Sequence, residues 1–295
     1  MLKTIGILIT GITAISFAAI FIRFCDDVPA IMIATYRLCI ASVILLAIAR
    51  IRGLSLKGVS RKDLYLSFLG GLFLSLHFIT WITSLKYTSV ASSVVLVTTN
   101  PIFVGIFSWL LFRERQNIEL ILGIVLCFFG SVLIALGDSG SQGFTLTQRA
   151  LTGDLLALAG AVMASGYLIV GSRVRERLDI LTYITVVFSI SALFLLVTSM
   201  ALGIPFTGYR PDSYLFMALL AVIPQLIGHT SLNWALKHLK ASMVAITILG
   251  EPIGATILAY LFFTESVGGL QLTGMTLIFA AIIIASRRGR KINKG

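Results

Sequence analysis

Charge is scarce in this 295-residue sequence. Asp, Glu, Lys and Arg together make up only 12% of it, where a soluble domain carries about a quarter. With 58% hydrophobic residues and a mean hydropathy of +1.01, no core in water absorbs this much apolar side chain, so the expected solvent is a bilayer. Cysteine is rare as well. Cys25, Cys39 and Cys127 lie far apart in or beside apolar runs, which excludes a disulfide framework and a CxxC metal site and leaves them as packing residues. No GxxxxGK[ST] is present, so direct ATP drive is not expected. HExxH, GxSxG and paired acids at membrane depth are also missing, which counts against an intramembrane enzyme. No soluble sensor segment supports a receptor or scaffold subunit. Neither a cofactor motif nor a metal-ligating cluster is legible.

Ten apolar stretches are long enough to cross roughly 30 Å of hydrocarbon. They run over 5–24, 30–49, 64–85, 90–112, 118–136, 153–172, 180–202, 213–236, 241–263 and 269–286. The first continues without a small-residue cleavage site and reads as a retained helix rather than a signal peptide. The net charge of +11 lies in short clusters between these runs rather than on one face, which fits anionic lipid and not nucleic acid. With the N-terminus in the cytoplasm, 18 of the 23 basic residues fall on the inner side, the five of the Arg287–Lys294 tail among them. Only Lys86, Arg149 and Arg210 stay outside, while Arg23 and Arg37 fall within spans. The expected setting is the inner, cytoplasmic membrane of a cell with both termini cytoplasmic.

The chain also repeats. At a spacing of 151, Leu85, Lys86, Pro101, Ile102, Glu114 and Gly123 return as Leu236, Lys237, Pro252, Ile253, Glu265 and Gly274. Five spans per unit is odd, so the second copy enters from the opposite face. The expected architecture is an all-α polytopic membrane protein of ten transmembrane helices in two inverted five-helix repeats. Its expected units are residues 1–137, an external linker 138–152, and 153–295 with a basic cytoplasmic tail. Such folds carry the substrate site near the midplane where the halves meet.

Tyr87 to Glu114, around Thr99-Asn100-Pro101, resembles the EamA-like branch of the drug/metabolite transporter superfamily. So do Gly228-His229, Asn233-Trp234, Gly250-Glu251-Pro252, Glu265 and the early Tyr36-Arg37. The resemblance implies ten helices and movement of a small metabolite, often export of an amino acid.

Glu251 is the acid well inside a span, and an ionised carboxylate there must be paired or wet. The neighbouring Pro252 removes a backbone donor and kinks its helix, as Pro101 does in the other half, where Asn100 replaces the acid. A proton-coupling role therefore falls on Glu251. Arg37 shares a helical face with Ala30, Ala34 and Ala41 and either turns inward or snorkels to the outer headgroups. Gln225, His229, Asn233 and Lys237 recur every fourth residue as one polar stripe, and His77 with Trp81 forms a second wall. The candidate substrate site is thus Arg37, His77, Trp81, Asn100, Gln225, His229, Asn233 and Glu251. The expected function is a secondary transporter, an exporter of a small metabolite such as an amino acid, working by alternating access with proton coupling as one option. Nucleotide-type or lipid-linked substrates stay open, as does the oligomeric state. Trp109 and Tyr260 read as aromatic-belt residues, and Glu114, Glu265 and Asp154 as solvated helix ends.

Overall fold

The computed structural model describes residues 2–56, 58–88, 90–113, 117–138, 148–263 and 268–286. The chain is all-helical, with ten spans among these residues. They are α1 (Leu2–Phe24), α2 (Ala30–Ile51), α3 (Arg61–Ser84), α4a (Val90–Val97) with α4b (Asn100–Phe112), and α5 (Ile118–Asp138). The second half supplies α6 (Gln148–Val174), α7 (Ile180–Ala201), α8 (Pro211–Ala235), α9a (Ala241–Ile248) with α9b (Glu251–Phe263), and α10 (Gly269–Ser286). Seven of the spans are long and apolar enough to cross a membrane; the shorter apolar helices belong to α4b, α5 and α10. Glu114, Glu265, the central linker and the basic tail lie at least partly outside the described residues.

The polarity of this fold is inverted relative to a soluble one. Trp109, Leu110 and Leu111 stand exposed on α4b, as do Tyr260, Leu261 and Phe262 on α9b, while Arg37, Gln225 and Asn233 are buried. Contiguous apolar surface of this kind needs lipid beside it.

The fourth and ninth spans, expected as continuous kinked helices, are instead each interrupted. Two residues in a turn precede Asn100-Pro101 and Glu251-Pro252, and each proline sits in the first turn of the outgoing half-helix. Proline disfavours helical backbone in the residue before it and cannot donate to the incoming helix, yet its fixed φ suits a helix start. The half-helices match in bounds at the spacing of 151: Val90–Val97 with Ala241–Ile248, and Asn100–Phe112 with Glu251–Phe263.

The two repeats interlock rather than lie side by side. α3 packs along α6, α2 along α7, α1 against α8 and α9b, and α5 along α10. Close approach is set by small residues. A Cβ on Gly228 would stand 2.5 Å from Ile15, and one on Gly254 would collide with the Ser16 side chain.

At the helix ends each half ties down the other. In the loop after α6, Arg177 Nε and Nη2 donate to Asp63 Oδ1 at 2.8 and 2.5 Å, reaching the start of α3. In the loop after α1, Asp26 Oδ1 accepts from Arg210 Nη2 at 2.5 Å, and Asp27 accepts from the Arg210 backbone N–H and the Ser213 hydroxyl at the start of α8. The two latches are related by the repeat but carry reversed charge: the loop is basic in one and acidic in the other. The Ser213 hydroxyl, aided by the Arg210 backbone N–H, holds the Asp27 carboxyl below its ordinary range, so this latch is ionised at neutral pH.

The α5–α10 crossing generates a test. A Cβ on Gly130 would lie 2.7 Å from the Gly274 carbonyl oxygen, whereas one on Gly6 meets nothing within 4 Å. Gly130→Ala is expected to lower the thermal unfolding midpoint in detergent by about 2–8 °C, because backbone must move. Gly6→Ala should leave the midpoint unchanged or raise it slightly through helix propensity.

Candidate functional site

Between the halves lies a cavity of ≈ 60 Å³, lined from both repeats. Arg37 of α2, His77 and Trp81 of α3 and Asn100 at the start of α4b face Tyr167 of α6, His229 of α8 and Glu251 at the start of α9b. The space admits a few waters, well below the 300–1,000 Å³ of a ligand pocket, so the structure is closed around its centre.

Arg37 turns inward rather than snorkelling and is only 1% exposed. Its Nε donates to Gln225 Oε1 at 2.8 Å, and its guanidinium carbon lies 4.1 Å from the centroid of the Phe78 ring. A guanidinium can only donate, which fixes the orientation of the Gln225 amide. Among the described residues Arg37 Nη1 has no hydrogen-bond partner, and no ion pair joins Arg37 to Glu251. An unpartnered donor on a buried charge costs at least about 1–3 kcal/mol, so the guanidinium is held but unsatisfied.

Further polar atoms are buried without partners around the same space. They are Trp81 Nε1, Asn100 Oδ1 and His229 Nδ1 on the cavity wall, with Gln225 Nε2 and Asn233 Oδ1 behind it. His77 Nδ1 meets the Gly160 carbonyl at 2.9 Å; a carbonyl only accepts, so Nδ1 carries the proton. The His77 ring stacks on Trp81 at 5.9 Å and 7°, and Phe78 meets His229 edge-on at 5.4 Å. The wall therefore combines aromatic faces with donors and acceptors that want a polar guest.

The broken spans add backbone polarity. α4b and α9b both begin at this cavity, and helix starts carry partial positive charge. Ser165 Oγ bridges α6 to the Asn100 carbonyl at 3.0 Å, and Ser16 Oγ of α1 reaches the Glu251 carbonyl at 3.4 Å. Each half-helix start is thus braced by a hydroxyl from the first helix of one repeat or the other.

The structure divides the residues singled out from the sequence. Arg37, His77, Trp81, Asn100, His229 and Glu251 line the cavity; Gln225 and Asn233 stand one layer behind, against Arg37 and Tyr167. Asn233 Nδ2 donates to the Tyr167 hydroxyl and to the His229 carbonyl, the latter at 2.8 Å. Lys237 falls off the stripe, because α8 ends at Ala235 and Lys237 is exposed in the following turn. The stripe stays on one face up to Asn233 because residues Ala221–His229 form a π-helix around Pro224. A four-residue step drifts about 40° per repeat on an α-helix, and the wider π turn cancels that drift. Tyr167 was not anticipated; a tyrosine hydroxyl in the middle of an apolar span was the available signal. Pro224, inside the eighth span, was a second.

Comparison with known proteins agrees with this architecture. A solved crystal structure superposes with a TM-score of 0.81 over 96% of both chains, at 19% identity, which shows a shared fold. An uncharacterized transporter of Archaeoglobus fulgidus is 26% identical over 84% of this chain and 87% of its own. The uncharacterized transporter YdfC of Bacillus subtilis is 26% identical over 89% of this chain and 83% of its own. Mouse solute carrier family 35 member G1 is 24% identical over 92% of this chain and 78% of its own. The EamA-like transporter family matches residues 2–136 and 151–287, one match on each repeat. The chain belongs to the EamA-like transporter family.

Proposed function

We propose that this protein is a secondary transporter that exports a small metabolite bearing an anionic group, an amino acid being the leading class, by alternating access coupled to protons. The observation that carries this reading is the shared cavity, where a buried Arg37 with a free Nη1 and the carboxyl of Glu251 come from opposite repeats. Arg37 supplies a charged donor to a carboxylate, and the Trp81 indole N–H supplies a second. Asn100 Oδ1 and Glu251 offer acceptors to an ammonium group. His77, Tyr167 and His229 close the walls, and Gln225 and Asn233 hold those walls in place.

Coupling falls on Glu251 because its repeat counterpart, Asn100, cannot ionise. When the cavity is wet and substrate is bound, a charged carboxylate is tolerated; when it closes and dries, the protonated form is cheaper by several kcal/mol. Access alternates by releasing one latch while the other holds. Opening on the Arg177–Asp63 side exposes the cavity to one face, and opening on the Arg210–Asp26/Asp27 side exposes it to the other. The basic loops support a cell-membrane location with both termini on the cytoplasmic side.

Two outcomes are expected in proteoliposomes loaded with a labelled amino-acid panel. Glu251→Gln should abolish accumulation driven by a pH gradient while substrate counterflow persists at reduced affinity, since the amide still offers an acceptor to the ammonium group but cannot carry a proton. Gradient-driven accumulation that survives the change would exclude Glu251 as the coupling site. Arg37→Lys keeps the charge but loses the planar fork, and should raise KM by about tenfold or more. An unchanged KM would remove Arg37 from the substrate site.

A further inference from the structure

The two halves match at a spacing of 150 early on and at 151 later. Ala30–Ile51 corresponds to Ile180–Ala201, both of 22 residues. Gly53 and Gly203 share left-handed backbone, φ 61° and 63°, and so do Gly58 and Gly208, φ 89° and 101°. These pairs are 150 apart, whereas the half-helices of the fourth and ninth spans are 151 apart. The second half is therefore one residue longer between Gly208 and Ala241 than the first half is between Gly58 and Val90. The helix in that interval is longer by one: α3 has 24 residues and α8 has 25.

The gain coincides with the π-helix. A turn closed from i to i+5 holds one residue more than an α turn, so it absorbs an insertion without breaking the helix. It also widens the backbone around Pro224, whose ring would otherwise press on the carbonyl four residues earlier. Gln225 lies within that wider turn on the buried face of α8, which also takes in Ser213, Met217, Ala221, Gly228, Leu232 and Asn233.

We infer that this one-residue insertion is the device that positions Arg37, with Gln225 as the positioning residue, and that it makes the substrate site asymmetric within a symmetric fold. Gln225 is fully buried and takes Arg37 Nε, which leaves Nη1 with no protein partner. Removing the extra residue lets the π turn close to an α turn, so the flanking helix keeps its phase while the residues inside the turn, Gln225 and His229 among them, shift relative to α2 and the cavity. Gln225 and His229 cannot then both keep their places against α2 and the cavity. The inference rests on the reading of the cavity as a substrate site, and it assigns a role in binding rather than in the proton step.

The experiment compares Gln225→Leu, a deletion of the lipid-exposed Val222, and their combination, in the full-length chain in proteoliposomes with labelled amino acids. The expected result is a KM raised about tenfold by Gln225→Leu with maximal rate within about twofold. The deletion should give a similar rise, and the combination no further one. A deletion that leaves KM unchanged, or a Gln225→Leu that lowers only the maximal rate, overturns the inference. If the parent moves no labelled amino acid, the functional reading fails. Thermal unfolding in detergent of Arg37→Leu, Gln225→Leu and the double variant then decides the positioning claim, whether or not the deletion variant folds. Non-additive midpoints uphold it and additive ones overturn it.

Discussion

Hydrocarbon offers no hydrogen bond, and every unusual feature of this protein follows from that constraint. A polar atom at membrane depth must be met by the chain itself, by trapped water or by a passenger. The chain meets most of its own: Ser165 covers the Asn100 carbonyl, Ser191 donates to the Gly71 carbonyl at 2.6 Å, and Thr35 shares a 2.9 Å bond with Ser199. Of the atoms it leaves unmet, Arg37 Nη1, Trp81 Nε1, Asn100 Oδ1 and His229 Nδ1 lie on the cavity wall, while the hydroxyls of Ser42, Tyr183, Thr185, Ser189 and Thr230 lie elsewhere. In the proposed function, the unmet charged, amide and ring groups on the cavity wall are the ones a passing substrate would meet.

Inverted repetition explains how such a site is reached. Because the second repeat passes through the bilayer in the opposite sense, each structural device exists twice, once toward each face. Broken spans open at the midplane from both halves, and the loops after α1 and α6 each clasp the start of a helix from the other repeat. The Arg177–Asp63 latch is the better buried of the two, with the Asp63 side chain 6% exposed against 70% for Asp26. Exposed ion pairs are weak in isolation, which suits the releasable latches that the proposed alternating access calls for.

Much of this was legible in the sequence because the bilayer imposes simple rules. Span length, loop charge and the 151-residue spacing gave the ten helices and their pairing, and ionisable residues inside spans pointed to Arg37 and Glu251. Three features were hidden. The latches join residues more than a hundred positions apart, such as Arg177 with Asp63, and no local pattern announces them. Lys237 looked like part of the polar stripe because periodicity does not reveal where a helix stops. The π-helix needed the three-dimensional phase of α8, although Pro224 and the change of spacing from 150 to 151 were already written in the chain.

The central claim is that one cavity between inverted halves opens to each face in turn. Ala164 lines that cavity and is only 8% exposed, so a cysteine there reports its access directly. With Cys25, Cys39 and Cys127 replaced by serine, Ala164→Cys in sealed vesicles should react with a membrane-impermeant thiol reagent added to either side. Reaction from one side only, or from neither, would contradict the account.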